Sequence, residues 1–180
     1  WIAGIHANVV ELRDGRWLAM GRGDAINGRL PQSISEDQGE TWRYSATPFD
    51  PIGGAQRLAL MRLREGPLLL VSFARRLQQT FIGSGMFAAV SFDEGESWPL
   101  RKLITPGGPK RVLDAPCNRR WGEPFSTLSR NQAESRGYLT AAQDQAGMIH
   151  VLSSGTHYAF NVAWLKQPPP VKVSKTVGEP

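Results

Sequence analysis

The sequence predicts an all-β fold built from repeated antiparallel four-stranded units, and three observations carry that prediction. One octapeptide pattern occurs twice, hairpin signals recur three times, and no stretch sustains helical periodicity between capping residues.

The first hairpin reads Asn8-Val9-Val10-Glu11-Leu12, a turn at Arg13-Asp14-Gly15-Arg16, then Trp17-Leu18-Ala19-Met20. The first octapeptide follows as Ser35-Glu36-Asp37-Gln38-Gly39-Glu40-Thr41-Trp42. A second hairpin, Leu58 to Leu63 and Leu68 to Phe73 about the turn Arg64-Glu65-Gly66-Pro67, leads to the second octapeptide, Ser91-Phe92-Asp93-Glu94-Gly95-Glu96-Ser97-Trp98. The third hairpin joins Tyr138 to Ala142 and Met148 to Leu152 through a turn around Asp144 to Gly147.

Both octapeptides obey Ser-x-Asp-x-Gly-x-(Ser/Thr)-Trp. Each position has a physical reason. The aspartate accepts hydrogen bonds from its own turn, the glycine reaches positive φ, and the hydroxyl residue ties the far arm. The tryptophan then lays a large apolar face into the core or against a neighbouring unit. The motif is thus a stapled turn, structural in purpose. A hairpin, a strand, a stapled turn and a further strand make four antiparallel strands in about 50 residues, the sequence shape of a β-propeller blade. The blades fall near 6–47, 56–104 and 137–166, the last of them partly degenerate, with a long connection over 105–136 and an extended Pro-rich tail over 167–180. Propellers close with about 4–8 blades. Three blades leave a ring open, so the chain, which opens at Trp1 without a signal-peptide pattern, reads as the C-terminal portion of a longer propeller.

Composition narrows the function classes. The chain has 180 residues, and 21 basic against 16 acidic residues give it a net charge of +5. That balance suits an anionic partner, but the arginines are scattered, which argues against nucleic acid. Apolar runs such as Leu68-Leu69-Leu70-Val71 are far short of the ~20 residues of a spanning helix, so no membrane insertion is expected. The single cysteine, Cys117, leaves no intramolecular disulfide and no multi-cysteine zinc site. No metal-ligand spacing is present, and His150 and His157, near Tyr158, read as strand-surface residues. No cofactor is expected.

The paired turns resemble the Asp boxes of sialidases and sialidase-like proteins, whose fold is a six-bladed β-propeller. Other Asp-box propellers have no glycosidase activity. Two stretches narrow the resemblance, which covers about residues 5–165. The run Val9 to Arg22 before an Asp box looks like the segment carrying the second arginine of the sialidase substrate-binding triad, with Arg22 on that arginine. The run Tyr138 to Gly147, closing with Phe160-Asn161-Val162-Ala163-Trp164-Leu165, looks like the last catalytic segment, with Tyr138 on the nucleophilic tyrosine.

The resemblance implies a glycosidase of terminal sialic acid or a related acidic sugar, whose partner is a sialoside or other acidic glycan, in a secreted or periplasmic setting. Sialic acid carries a carboxylate on its anomeric carbon, which guanidinium groups hold by planar bidentate hydrogen bonds. A carboxylate nucleophile would meet like-charge repulsion there, whereas tyrosine stays neutral until a base takes its proton. His6 stands where the family has its activating glutamate, and imidazole accepts a proton near neutral pH. The third triad arginine would fall near Gly83, with Arg75, Arg76, Arg119, Arg120 and Arg130 as substitutes, and Glu123 is a surrogate base or a solvated loop charge. The first triad arginine and the acid/base aspartate belong to N-terminal blades outside this chain. Two alternatives stay open beside the enzyme: a non-catalytic Asp-box propeller that binds glycans or proteins, and a glycosidase or lyase for another acidic sugar.

Overall fold

The computed structural model describes residues 2–74, 85–104, 111–112, 127–128, 137–154 and 157–167. Two four-stranded antiparallel sheets and one three-stranded sheet form their framework. The first sheet orders β1 (Ile5–Glu11), β2 (Trp17–Arg22), β3 (Pro31–Ser35) and β4 (Arg43–Ala46) by chain sequence. After β5 (Gln56–Arg57), the second sheet repeats that order with β6 (Ala59–Arg62), β7 (Leu68–Ala74), β8 (Gly85–Ser91) and β9 (Leu100–Leu103). Two-residue strands β10 (Arg111–Val112) and β11 (Thr127–Leu128) pair with each other. Then β12 (Gly137–Tyr138) precedes the third sheet, made of β13 (Thr140–Gln143), β14 (Ile149–Leu152) and β15 (His157–Phe160).

The second sheet lies at the centre of the core. Every residue of β7 and β8 is buried, which the unbroken apolar run from Leu68 to Val71 predicts for a strand covered on both faces. The third sheet instead alternates. Ile149, Val151, Tyr158 and Phe160 are buried, while Thr140, Ala142, Leu152, His157 and Ala159 on the other face are exposed. The leading strands of the three sheets lie side by side, with β6 beside both β1 and β13, and Asn8 Nδ2 donates to Leu58 O across the first pair.

Both stapled turns form as the sequence predicts, and they match bond for bond. Asp37 Oδ1 accepts from Thr41 N at 2.8 Å and from the Ser35 hydroxyl at 2.8 Å; Asp93 Oδ1 does the same with Ser97 N at 2.9 Å and the Ser91 hydroxyl at 2.8 Å. Gly39 and Gly95 take φ values of +96° and +93°, the left-handed region where glycine is unstrained. Trp98 is 2% exposed and meets Phe49 edge to face at 5.5 Å, so it packs the second sheet onto the segment that leaves the first. Trp42 makes the same ring N–H bond to its turn but is only half-buried.

The third unit, partly degenerate in sequence, has three sheet strands. Its fourth position holds a single helical turn, α1 (Val162–Lys166), packed on β9. Asn161 is extended and its side chain accepts from Trp164 N at 2.8 Å, a helix cap that stops strand pairing there. Lys102 Nζ closes the other end by donating to Trp164 O at 2.7 Å and Gln167 O at 3.1 Å. Among the described residues the sheets form no closed ring. Most of the 105–136 connection and of the 167–180 tail lies outside the described residues. No helix among the described residues is long and apolar enough to cross a membrane.

Candidate functional site

Strand directions sort the molecule into two ends. The β1–β2 hairpin turn pairs Glu11 with Trp17, and Trp17 in turn faces Ser35, so the first stapled turn lies at the hairpin end. Ser91 faces Leu68, which puts the second stapled turn at the same end of its sheet. Here the sheets are fastened together. Glu94 accepts from both Arg62 guanidinium nitrogens, at 2.9 and 2.6 Å, and from Arg13 N at 2.8 Å. Gln143 Oε1 accepts from Arg64 N at 2.7 Å, while its amide donates to Glu65 at 2.9 Å. The Arg62 guanidinium holds the Glu94 carboxyl below the usual carboxylate range, and the Gln143 amide does the same for Glu65.

The opposite end gathers the residues singled out by the sequence. Arg22 closes β2, His6 lies near the start of β1 opposite it, and Tyr138 arrives from β12. Tyr138 is separated from Arg22 by 116 positions, and a two-residue parallel pairing brings it in: Gly137 pairs with Gln56 and Tyr138 with Arg57. Ser154 Oγ accepts from Tyr138 N at 3.0 Å, which fixes the backbone from the other side.

Arg22 is the hub of this cluster. Its Nε donates to His6 Nδ1 at 3.2 Å, its Nη2 to Tyr138 Oη at 3.3 Å, and its Nη1 to Gly53 O at 3.4 Å. Nε–H and Nη2–H project in parallel from one edge of a guanidinium, the edge that takes a carboxylate side-on. In Arg22 that edge faces one ring nitrogen and one phenol oxygen. Because His6 Nδ1 accepts, its ring carries hydrogen on Nε2 in the neutral form. Among the described residues no hydrogen bond joins His6 to Tyr138, whose rings lie 5.7 Å apart and tilted by 55°. His6 also sits in a register break of β1 with φ of +54°, a left-handed conformation that few non-glycine residues adopt outside functional or strained sites. Tyr138 is 45% exposed, so the phenol is open to a ligand.

The cluster includes groups that sequence reasoning missed. Gly53 O holds Arg22, and the Gln56 side chain accepts from Gly53 N at 2.9 Å, so one short turn braces the arginine and leads into the strand that receives Tyr138. Gly53-Gly54 signals a turn in the sequence, but a carbonyl acceptor has no residue signature. On the loop after Arg22, Asp24 accepts from the Tyr44 hydroxyl. Burial first and this carboxylate second push the Tyr44 hydroxyl up to about 12, and the same bond lowers Asp24. Gly83, Arg75, Arg76, Arg119, Arg120, Arg130 and Glu123 lie outside the described residues. His150 and His157 fall on β14 and β15, where they face Ala159 and Leu152 respectively, and neither makes a hydrogen bond to Arg22, His6 or Tyr138 among the described residues.

No family model matches the chain. A sialidase of Micromonospora viridifaciens is 26% identical over 175 residues, a match covering 87% of this chain and 21% of that protein. The chain therefore spans about a fifth of the length of that relative. Among solved structures, an intramolecular trans-sialidase from Ruminococcus gnavus in complex with oseltamivir carboxylate is 14% identical, with a TM-score of 0.40, over 91% of this chain and 44% of that one. A protein of unknown function from Dyadobacter fermentans is 17% identical, with a TM-score of 0.36, over 84% and 50%. Both structural likenesses are too distant to carry an argument. The chain is similar in sequence to a sialidase, and its structure is all-β with antiparallel four-stranded sheets.

Proposed function

We propose that the chain is part of a sialidase-like glycoside hydrolase that holds the carboxylate of a terminal sialic acid, or a related acidic sugar, on Arg22, while Tyr138 gives up its proton to a base and bonds to the anomeric carbon as the glycosidic bond breaks and the aglycone leaves as an alcohol; water then releases the sugar and restores the phenol. The carrying observation is the 3.3 Å approach of Arg22 Nη2 to Tyr138 Oη, which brings a carboxylate clamp and a phenol to one exposed spot. Likeness to a sialidase over most of the chain supports the same reading. A carboxylate entering side-on replaces His6 Nδ1 and Tyr138 Oη as the acceptors on Arg22, exchanging two neutral acceptors for two oxygens of one anion. That exchange frees the phenol from its donor as the sugar arrives. In this proposal the three sheets are successive blades of a six-bladed ring, and the stapled turns are structural staples at the end away from the sugar.

The test is hydrolysis of a fluorogenic sialoside by the longest natural polypeptide containing these residues, with and without a dehydrated sialic-acid mimic of the planar transition state. Turnover that the mimic inhibits supports the enzyme. A second reading, a propeller that binds acidic glycans without cleaving them, is favoured by one observation: among the described residues no carboxylate reaches Tyr138 Oη, and His6 Nδ1 is engaged with Arg22. Binding of the mimic without turnover selects that reading.

A further inference from the structure

His150 on β14 and His157 on β15 lie diagonally across an antiparallel pair, since Leu152 faces His157 and His150 faces Ala159. Their side chains share the exposed face of the third sheet with Ala142 and Ala159, residues too small to cover them. His150 Nδ1 and His157 Nε2 approach to 3.0 Å, with the ring planes within 17° of each other. The other nitrogen of His150, Nε2, lies 3.2 Å from Asp144 Oδ2, and Asp144 is itself fixed in the β13–β14 turn by Met148 N at 2.8 Å.

We propose that His150 and His157 form a surface chelate for a divalent transition metal ion of the imidazole-seeking class, Cu²⁺, Ni²⁺ or Zn²⁺. Three features of the chemistry converge on it. Two imidazole nitrogens bound in adjacent positions at about 2.0–2.1 Å stand roughly 2.9 Å apart at a right angle and about 3.3 Å apart at a tetrahedral one. The observed 3.0 Å falls between these values. Next, the Asp144 carboxylate is an acceptor only, and its Oδ2 lies 3.2 Å from His150 Nε2. It therefore draws the ring hydrogen to His150 Nε2 and leaves the Nδ1 lone pair for the metal, the carboxylate–histidine arrangement that orients metal ligands generally. Finally, both imidazoles lie at the surface, so water completes the coordination shell. Among the described residues no group of three or more His, Cys, Asp or Glu side chains could hold an ion, so this is a site of two protein ligands. On binding, the hydrogen on His157 Nε2 moves by tautomeric exchange with water to Nδ1 of the same ring, and the ion, held off the line between the two free nitrogens, ties β14 to β15.

The experiment titrates the EDTA-stripped chain with Cu²⁺, and separately with Zn²⁺, by calorimetry, and records the electron paramagnetic resonance spectrum of the copper form. The chain has only three histidines, so single substitutions assign the ligands. Expected are one saturable equivalent, a copper spectrum showing coupling to two nitrogens, and a rise in melting temperature with metal. His150→Asn and His157→Asn should each weaken binding at least about tenfold, and Asp144→Asn by roughly 10–100-fold. His6→Asn should leave it unchanged. Melting curves in EDTA check that each variant is folded. Binding that survives both His150→Asn and His157→Asn, binding abolished by His6→Asn, or no saturable equivalent at all overturns the proposal.

Discussion

Arg22 Nη2 donates to Tyr138 Oη across 3.3 Å, although 116 positions separate the two residues. The arginine ends a strand of the first sheet, and the tyrosine reaches it because the lead-in to the third sheet pairs in parallel with Gln56 and Arg57. Three sheets are thus needed to assemble one pair of side chains, and the same pair carries the proposed chemistry.

Tyr138→Phe removes the phenol oxygen alone from a side chain that is 45% exposed. Folding should be unaffected, because one long hydrogen bond at the surface is lost. Turnover should fall by roughly a thousandfold or more if Tyr138 is the nucleophile. Activity within a few-fold of the parent protein would remove Tyr138 from the mechanism.

Arg22→Lys keeps the charge and loses the parallel N–H edge. The variant should bind an acidic sugar about 10–100-fold more weakly, the scale of one or two charge-assisted hydrogen bonds. Calorimetric titration reads the change directly.

Glu94 fastens the two four-stranded sheets together through Arg62 and Arg13 N. Glu94→Gln should lower the unfolding free energy by about 1–3 kcal/mol, since it removes the carboxylate and leaves the half-buried Arg62 guanidinium without its bidentate partner. Chemical denaturation measures the difference.

The twin tryptophans should respond unequally to truncation. Trp98→Ala empties a site that is 2% exposed against Phe49 and should cost about 3–5 kcal/mol. Trp42→Ala removes a half-buried ring and should cost distinctly less. Equal losses in denaturant melts would contradict the packing described for Trp98.

Acid stability follows from the same turns. Asp37 is held down to about 2, first by the Thr41 hydroxyl, then by Thr41 N–H and the Ser35 hydroxyl, and Asp93 is lowered in the same way by Ser97. A carboxylate depressed in the folded state binds fewer protons folded than unfolded. Its contribution is complete above the unfolded value of about 4 and is lost as the pH falls toward 2. Melting temperature should therefore drop steeply below about pH 4 in the parent, and less steeply in an Asp37→Asn, Asp93→Asn double variant.

Much of the fold is legible in the sequence because its elements have local causes. Asp-Gly turns set the first hairpin, the Ser-x-Asp-x-Gly pattern sets the two staples, and the Leu68 to Val71 run marks the doubly covered strand. Other features have none. The pairing of Gly137 and Tyr138 with Gln56 and Arg57 is only two residues long and shows no period, and α1 closes the third unit through a cap at Asn161 and a lysine, Lys102, from another sheet. Within the site, Arg22 and Tyr138 were legible through resemblance to a motif. The brace from Gly53 O was not, because backbone acceptors look alike in every sequence. His6 was legible as a position; the direction of its Nδ1 toward Arg22 required the geometry.

The carboxylate clamp is tested by comparing the binding of N-acetylneuraminic acid with that of its methyl ester to the parent chain and to Arg22→Gln. The parent should prefer the free acid by about tenfold or more, and Arg22→Gln should abolish the preference. Equal affinity of the parent for acid and ester, or a preference for the acid that persists in Arg22→Gln, would contradict the clamp.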